Sequence, residues 1–116
     1  ACDQGPRVVS PRPFLLENLM RVNHLVIIKF KEGVAETRIA THLAALASLR
    51  AKMPELIVDL TLGRNFTDRA QGYTHAVTVT LSSKEALPAY LQHPEHQAVA
   101  AGLREDAEYL VLDYEF

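Results

Sequence analysis

Cysteine, tryptophan and glycine are scarce in this chain of 116 residues, which has one cysteine, no tryptophan and five glycines. Because Cys2 is the only cysteine, no internal disulfide or cysteine-based metal site can form, and a reducing, cytoplasmic setting fits. No apolar run approaches the roughly 20 residues that span a bilayer, and the N-terminus lacks the pattern of a secretory signal. We therefore expect a cytoplasmic protein with no membrane partner.

Charge of either sign is not in large excess, since the formal net charge is −2. The charge balance therefore gives no indication that nucleic acid or an anionic membrane is a partner. Glycine-rich phosphate loops, a serine-centred nucleophile turn and paired-carboxylate motifs are also missing, so neither nucleotide chemistry nor acyl-enzyme chemistry is expected. A hydrophobic content of 48% with 22% charged residues is typical of a single globular domain.

The clearest pattern present is the alternation in residues 72–81, Gly-Tyr-Thr-His-Ala-Val-Thr-Val-Thr-Leu. Bulky side chains and His75 point to one side, whereas alanine and threonines point to the other, and this period of two predicts a strand. Neither side suits water, so we expect the strand in the middle of a sheet.

Three further strands are predicted over residues 22–30, 56–62 and 109–116, each with apolar residues on both faces. Apolar residues recur every three or four positions from Ile39 to Met53, which predicts a long helix that Pro54 ends and that Ala35 caps poorly.

Two short helices are predicted before the last strand. A capping-box pattern at residues 82–85 starts the first, which runs to Leu91 and is kinked or limited to one turn by Pro88. The second opens at His93-Pro94 and ends at Gly102. The order β-α-β-β-α-β predicts an α+β, ferredoxin-like fold with a four-stranded antiparallel sheet and helices on one face.

Residues 1–22 match no regular period and contain three prolines, so we interpret them as a partly ordered N-terminal extension to a domain over residues 23–116. Met20 is an alternative natural start, which would make the preceding residues an upstream or added leader.

The helices can cover only one face of the sheet. The other face is expected to carry large apolar side chains from three strands: Leu25, Ile27, Ile57, Leu110, Leu112 and Tyr114. Soluble monomers avoid exposed patches of that size, so we expect a homodimer that packs sheet against sheet and closes towards a barrel. The alternative is that the N-terminal extension folds back over this face.

Five histidines are candidates for chemistry. His24 and His75 are each expected on the bulky face of a strand, so both look into the space between sheet and helices. His42, beside the apolar stripe of the long helix, is expected to be structural. His93 and His96 have a spacing that metal ligands use, but such pairs often only cap a helix, and no metal is expected.

His96 is the strongest candidate, because the first turn of a helix favours a neutral imidazole that can act as a base. Asp113 could accept its ring N–H and fix the tautomer, and Tyr90 could present a hydroxyl to the same cavity. For His24 and His75, the alternative is a structural role as satisfied core histidines.

Four stretches, residues 24–33, 72–81, 90–97 and 111–114, together resemble the stress-responsive A/B barrel domain (Dabb) family in order and spacing. The resemblance covers about residues 23–116 and implies a dimeric α+β barrel. The family includes a plant polyketide cyclase, stress proteins and many members without a known reaction.

By that resemblance, His96, Tyr90 and Asp113 take catalytic positions: the base, the donor to the substrate carbonyl and the residue that orients the base. His24 and His75 line the substrate pocket. No cofactor is implied. The chain departs from the family pattern at Ala35, at Pro88 and in its N-terminal extension.

Two hypotheses follow. In the first, the protein binds a small apolar or aromatic carbonyl compound and acts as a cofactor-independent lyase or cyclase. In the second, it is a non-catalytic, stress-associated homo-oligomer whose polar residues satisfy one another.

Overall fold

The structure is a computed structural model that describes residues 20–116. Its strands are β1 (Val22–Phe30), β2 (Ile57–Arg64), β3 (His75–Leu81) and β4 (Ala107–Glu115), and its helices are α1 (Glu36–Ala47), α2 (Leu49–Lys52), α3 (Ala86–Gln92) and α4 (Pro94–Asp106). Most of the predicted N-terminal extension lies outside the described residues.

The four strands form one antiparallel sheet in the order β2-β3-β1-β4. This order and the helix positions confirm the predicted α+β, ferredoxin-like fold. β1 and β3 are central, whereas β2 and β4 are edge strands with one side unpaired among the described residues.

Strand β3 alternates between buried and half-buried residues along its whole length, as its sequence predicts. The bulky faces of β3 and β1 lie side by side in the sheet, and both pack against the helices. The buried apolar core consists of Val22, Val26, Ile28, Leu46, Leu49, Met53, Ile57, Val77, Val79, Leu81, Ala86, Tyr90, Leu103 and Ala107.

The predicted position of Ile57 on the open face is wrong. Ile57 is only 4% exposed and pairs with Leu81 on the core side of the sheet. The cause is an irregularity between Ile57 and Asp59, where Val58 is an extra residue that shifts the alternation by one position.

The predicted capping box at residues 82–85 does not form, because α3 begins at Ala86, whose N–H donates to the Ser83 hydroxyl rather than to Ser82. The helices also differ from the sequence prediction at three further points. The long helix is interrupted at Ser48, whose side chain donates a 2.7 Å hydrogen bond to the Ala45 carbonyl. Helix α3 runs for seven residues with Pro88 at its third position, where the missing N–H has no intrahelical acceptor to lose. Helix α4 continues past Gly102 to Asp106. Ala35, as predicted, provides no side-chain cap.

The face of the sheet opposite the helices is apolar along β1 and β4. Leu110, Leu112 and Tyr114 are 55%, 59% and 46% exposed, and Leu25 and Ile27 lie beside them as cross-strand partners of Leu112 and Leu110. No other described segment covers this surface, which we call the open face. Among residues 20–116, no helix is long and apolar enough to cross a membrane.

Candidate active site

A cavity of about 330 Å³ lies between the helix-covered side of the sheet and helices α1, α3 and α4. Its walls are mostly apolar, with contributions from Val26, Val79, Val99, Leu103 and Val111. Four of the five predicted site residues also line it: His24, Tyr90, His96 and Asp113. The sequence therefore identified most of the polar side chains at this cavity, although their contacts differ from those expected.

Asp113 pairs with His24 rather than with His96. The two residues are direct cross-strand partners on β1 and β4, and His24 Nδ1 lies 2.5 Å from Asp113 Oδ1. A carboxylate at Nδ1 accepts the proton of that nitrogen, so a neutral His24 has an unprotonated Nε2. Because this antiparallel register brings Asp113 to His24, the expected hydrogen bond from His96 to Asp113 does not form.

His96 is the third residue of α4, and its ring is held by the end of the preceding helix. Its Nδ1 lies 3.1 Å from the Leu91 carbonyl oxygen, which can only accept a hydrogen bond. Nδ1 therefore carries the proton and Nε2 carries a lone pair in the neutral ring.

Burial lowers the pKa of His96 below its usual value of 6.5, and the nearby His24 and Arg104 lower it further. The hydrogen bond to the Leu91 carbonyl opposes these effects only in part. The imidazole is therefore mainly neutral at pH 7 and able to accept a proton at Nε2.

Tyr90 lies between the two histidines and is only 2% exposed. Its ring centroid is 4.5 Å from that of His96 and 5.5 Å from that of His24. Burial raises the pKa of the Tyr90 hydroxyl to about 12, so the group stays protonated and can donate a hydrogen bond. Within residues 20–116, no hydrogen bond satisfies this hydroxyl.

His93 sets the start of α4 and thereby the place of His96. Its Nδ1 accepts a 3.1 Å hydrogen bond from the Glu95 backbone N–H, which makes it the cap of the helix. Among the described residues, no group of three or more histidine, cysteine or acidic side chains is arranged to hold a metal ion.

His75 does not line this cavity. Its Nδ1 lies 2.8 Å from the Thr74 hydroxyl, and its ring meets Phe30 edge-on at 5.4 Å. Burial lowers the pKa of His75, and the positive charge of Arg64 lowers it further. Strand β3 pairs His75 with Ile28, and the residues by which β3 lines the cavity are Val77 and Val79, further along the strand.

Two groups of polar residues were not anticipated. Arg104 and Tyr109 also line the cavity, with Arg104 Nη1 3.3 Å from the Tyr109 hydroxyl. Elsewhere, Asp106 Oδ2 accepts hydrogen bonds from Arg38 and from His42 at 2.6 and 2.7 Å. Both groups join residues brought together by folding, and spacing along the chain gave no signal for either.

The family model described as the Stress Responsive A/B Barrel Domain matches residues 22–116. An uncharacterized protein of Streptomyces coelicolor is 34% identical over 97 residues, which cover 82% of this chain and 99% of that protein. Olivetolic acid cyclase of Cannabis sativa is 32% identical over 98 residues, which cover 82% of this chain and 96% of the cyclase.

Two solved structures share the fold. A hydroxynitrile lyase from Passiflora edulis superimposes with a TM-score of 0.77 at 23% identity, covering 83% of this chain and 93% of the lyase. A protein of Jannaschia sp., described as dimeric and ferredoxin-like, gives a TM-score of 0.70 at 28% identity and covers 83% of this chain and 99% of its own. The same fold therefore occurs in a protein described as a dimer.

Proposed function

The chain belongs to the stress-responsive A/B barrel domain family, and from that membership we propose that its cavity binds a small apolar or aromatic carbonyl compound. The size of the cavity, about 330 Å³, is sufficient for such a ligand, and its mostly apolar lining suits one. The few polar groups that line it would orient the carbonyl oxygen. The similarity to a cyclase that is 32% identical supports this substrate class.

The proposed reaction is proton abstraction from a carbon next to a carbonyl, by a cofactor-independent lyase or cyclase. His96 Nε2 takes the C–H proton, and the electron pair of that bond moves onto the carbonyl oxygen to form an enolate. Tyr90 donates a hydrogen bond to this oxygen, where negative charge develops. In a cyclase, the enolate carbon would then attack a second carbonyl of the same molecule.

The observation that carries the proposal is the state of His96. A burial-lowered pKa and an Nδ1 occupied by the Leu91 carbonyl leave a neutral ring with a free Nε2 at the cavity. The ring of Tyr90 lies next to that of His96, and its hydroxyl is protonated. A base and a hydrogen-bond donor side by side are the two groups that enolate formation requires.

Asp113 and His24 would act together at the same cavity. In this proposal, the Asp113 carboxylate orients the His24 ring, and His24 Nε2 binds a polar group of the substrate. Asp113 thus positions His24, and His96 relies on Leu91 for its orientation. His75 has no part in this proposal because it lies outside the cavity.

We also propose that the protein is a homodimer through the open face. Leu110, Leu112 and Tyr114 are each about half exposed there, which a soluble monomer avoids. A structural neighbour described as dimeric supports this arrangement.

Proton abstraction can be tested without knowing the natural substrate. A β-keto probe is incubated with the protein in D₂O, and NMR follows exchange of its acidic C–H protons. The wild type should accelerate exchange, and His96→Gln should remove the acceleration, whereas Gln97→Ala, an exposed neighbour on α4, should retain it. Acceleration that survives His96→Gln would exclude His96 as the base.

A thermal-shift screen of aromatic and β-keto compounds tests binding separately. Ligands of the cavity should raise the melting temperature of the wild type and raise it less in His96→Ala. Stabilisation that is unaffected by His96→Ala would place the ligand elsewhere. The absence of both binding and exchange would favour the second hypothesis, a non-catalytic stress-associated oligomer.

A further inference from the structure

The wall of the cavity is incomplete along the edge of the sheet. Val111 lines the cavity and points to the helix-covered side, as its pairing with the buried Val26 requires. It is nevertheless 46% exposed, and the Asp113 side chain beside the cavity is 36% exposed. Both residues lie on β4, an edge strand whose outer side no other described segment covers.

The open face has two unlike halves. Along β1 and β4 it carries the bulky residues described above. Along β2 and β3 it carries small ones, Thr61, Gly63, Ala76, Thr78 and Thr80, with Asp59, which pairs with Arg50, at one end. Two copies pack most closely when the bulky half of each meets the smooth half of the other. A twofold axis parallel to the strands achieves this match, and an axis across the strands does not.

An axis parallel to the strands sets the β4 edge of one copy beside the β2 edge of the other. Within one chain β2 runs antiparallel to β4, because both flank the antiparallel central pair. Rotation about this axis keeps each strand's direction, so the two edges meet as antiparallel neighbours. Each unpaired edge would then gain a partner.

The register shows which part of β2 reaches the cavity. Arg64, the last residue of β2, pairs with His75, which pairs with Ile28, which pairs with Tyr109. Arg64 is therefore level with Tyr109 at the wall of the cavity, and the loop that follows β2 begins beside the start of β4.

This loop carries a phenylalanine with no cover among the described residues, since Phe66 is 96% exposed. The backbone beside it is nevertheless ordered, because Asn65 Nδ2 donates to the Thr67 carbonyl at 2.6 Å and the Thr67 hydroxyl donates to Asn65 Oδ1 at 3.2 Å. An aromatic side chain presented on an ordered loop is typical of an interface anchor.

We propose that Phe66 of the partner subunit packs against Tyr109 and Val111 and completes the wall of the cavity. Each site of the dimer is then built from both chains. The contact between chains does not depend on proton abstraction by His96, so the two proposals can fail separately. The role of Phe66 in closing the cavity around a ligand does rest on the proposed function.

Cross-linking between differently tagged, co-expressed chains tests the contact. In a Cys2→Ser background, one chain carries Phe66→Cys and the other Val111→Cys, so that a short bis-maleimide can join only different subunits. The control pair combines Phe66→Cys with Glu115→Cys, an exposed residue at the far end of β4. The first pair should cross-link several-fold more efficiently, because proximity raises the effective thiol concentration. Equal yields, a preference for the Glu115 pair, or a monomeric protein would overturn the proposal.

Analytical ultracentrifugation measures how much Phe66 contributes to the affinity between the two subunits. Because buried aromatic anchors dominate interface energies, Phe66→Ala should weaken the dimer by roughly 10- to 30-fold in dissociation constant. Asp68→Ala, in the same loop and also exposed, should leave the constant unchanged. Equal dissociation constants for the wild type and Phe66→Ala would overturn a role for Phe66 at the interface.

Discussion

Two histidine–carboxylate pairs in this molecule look alike in distance and differ in surroundings. His24 and Asp113 are 2.5 Å apart at the cavity, and the Asp113 side chain is 36% exposed and bonds to no other described cation. His42 and Asp106 are 2.7 Å apart between α1 and α4, with side chains only 14% and 12% exposed. Asp106 also binds Arg38 through two nitrogens.

The difference separates a pair that lines the cavity from a pair that holds elements together. Asp106 ends α4, and its bonds to two residues of α1 tie the first and last helices. Its backbone carbonyl also accepts a hydrogen bond from the N–H of Lys31, the residue after β1. The His42 ring is also covered, by stacking on Phe30 and by the close approach of Gly102. His24 is also buried, with its side chain only 5% exposed and its ring edge-on to Tyr90, but it lines the cavity and its carboxylate partner is open to solvent.

The largest expected effect is on the exchange rate, and it distinguishes His96 at the cavity from His42 between α1 and α4. His96→Gln should reduce proton exchange of a β-keto probe by roughly 10² to 10⁴-fold, the usual contribution of a general base. His42→Gln should leave the exchange rate nearly unchanged in the fraction that remains folded. Circular dichroism at the assay temperature provides that fraction. Equal losses in the two variants would mean that the cavity has no special role.

Tyr90→Phe removes only the buried hydroxyl and leaves the ring that separates His24 from His96. Since removal of one donor to a developing oxyanion typically slows a reaction by about 10²-fold, exchange should slow by that amount. The melting temperature should not fall, because no hydrogen bond from this hydroxyl is lost within the described residues. A full exchange rate in Tyr90→Phe would remove the hydroxyl from the mechanism.

The two carboxylates should separate stability from binding. Asp106→Asn leaves Arg38 and His42 without their shared anion and should lower the melting temperature by roughly 5–10 °C. Asp113→Asn should lower it by less, because Asp113 is more exposed and bonds to fewer groups. It should instead weaken binding of compounds identified in the thermal-shift screen. The reverse order of the two melting temperatures would contradict the comparison.

The smallest expected effect is in pH dependence. Because burial lowers the pKa of His96 below 6.5, the base is mainly neutral at pH 6.5, and exchange should fall as the pH drops through the lower folded-state value. Hydrogen bonds from His42 and Arg38 lower the pKa of Asp106, so its stabilising contribution is complete above the unfolded value near 3.8 and is lost below it. Melting temperatures and exchange rates measured from pH 3 to 8 should therefore decline at different pH values.

The sequence was sufficient for the fold because period-two and period-3.6 patterns are local. Strand β3 follows its pattern over its whole length, and the long helix follows its pattern apart from the interruption at Ser48. The irregularity at Val58 that turned Ile57 inward leaves no such signature. Site contacts depend on pairing between distant strands. His24 and Asp113 are 89 residues apart. The identity of the histidine that pairs with Asp113 therefore depends on the register of β1 with β4, which local patterns do not reveal.

The central claim is that His96 holds its proton on Nδ1 and offers Nε2 to the cavity as a neutral base. Long-range ¹H–¹⁵N correlation of the imidazole rings as a function of pH measures both the tautomer and the pKa. We expect an Nδ1–H tautomer for His96 and a pKa below 6.5, because the ring is buried and its Nδ1 bonds to the Leu91 carbonyl. An Nε2–H tautomer, or a pKa at or above 6.5, would contradict the claim.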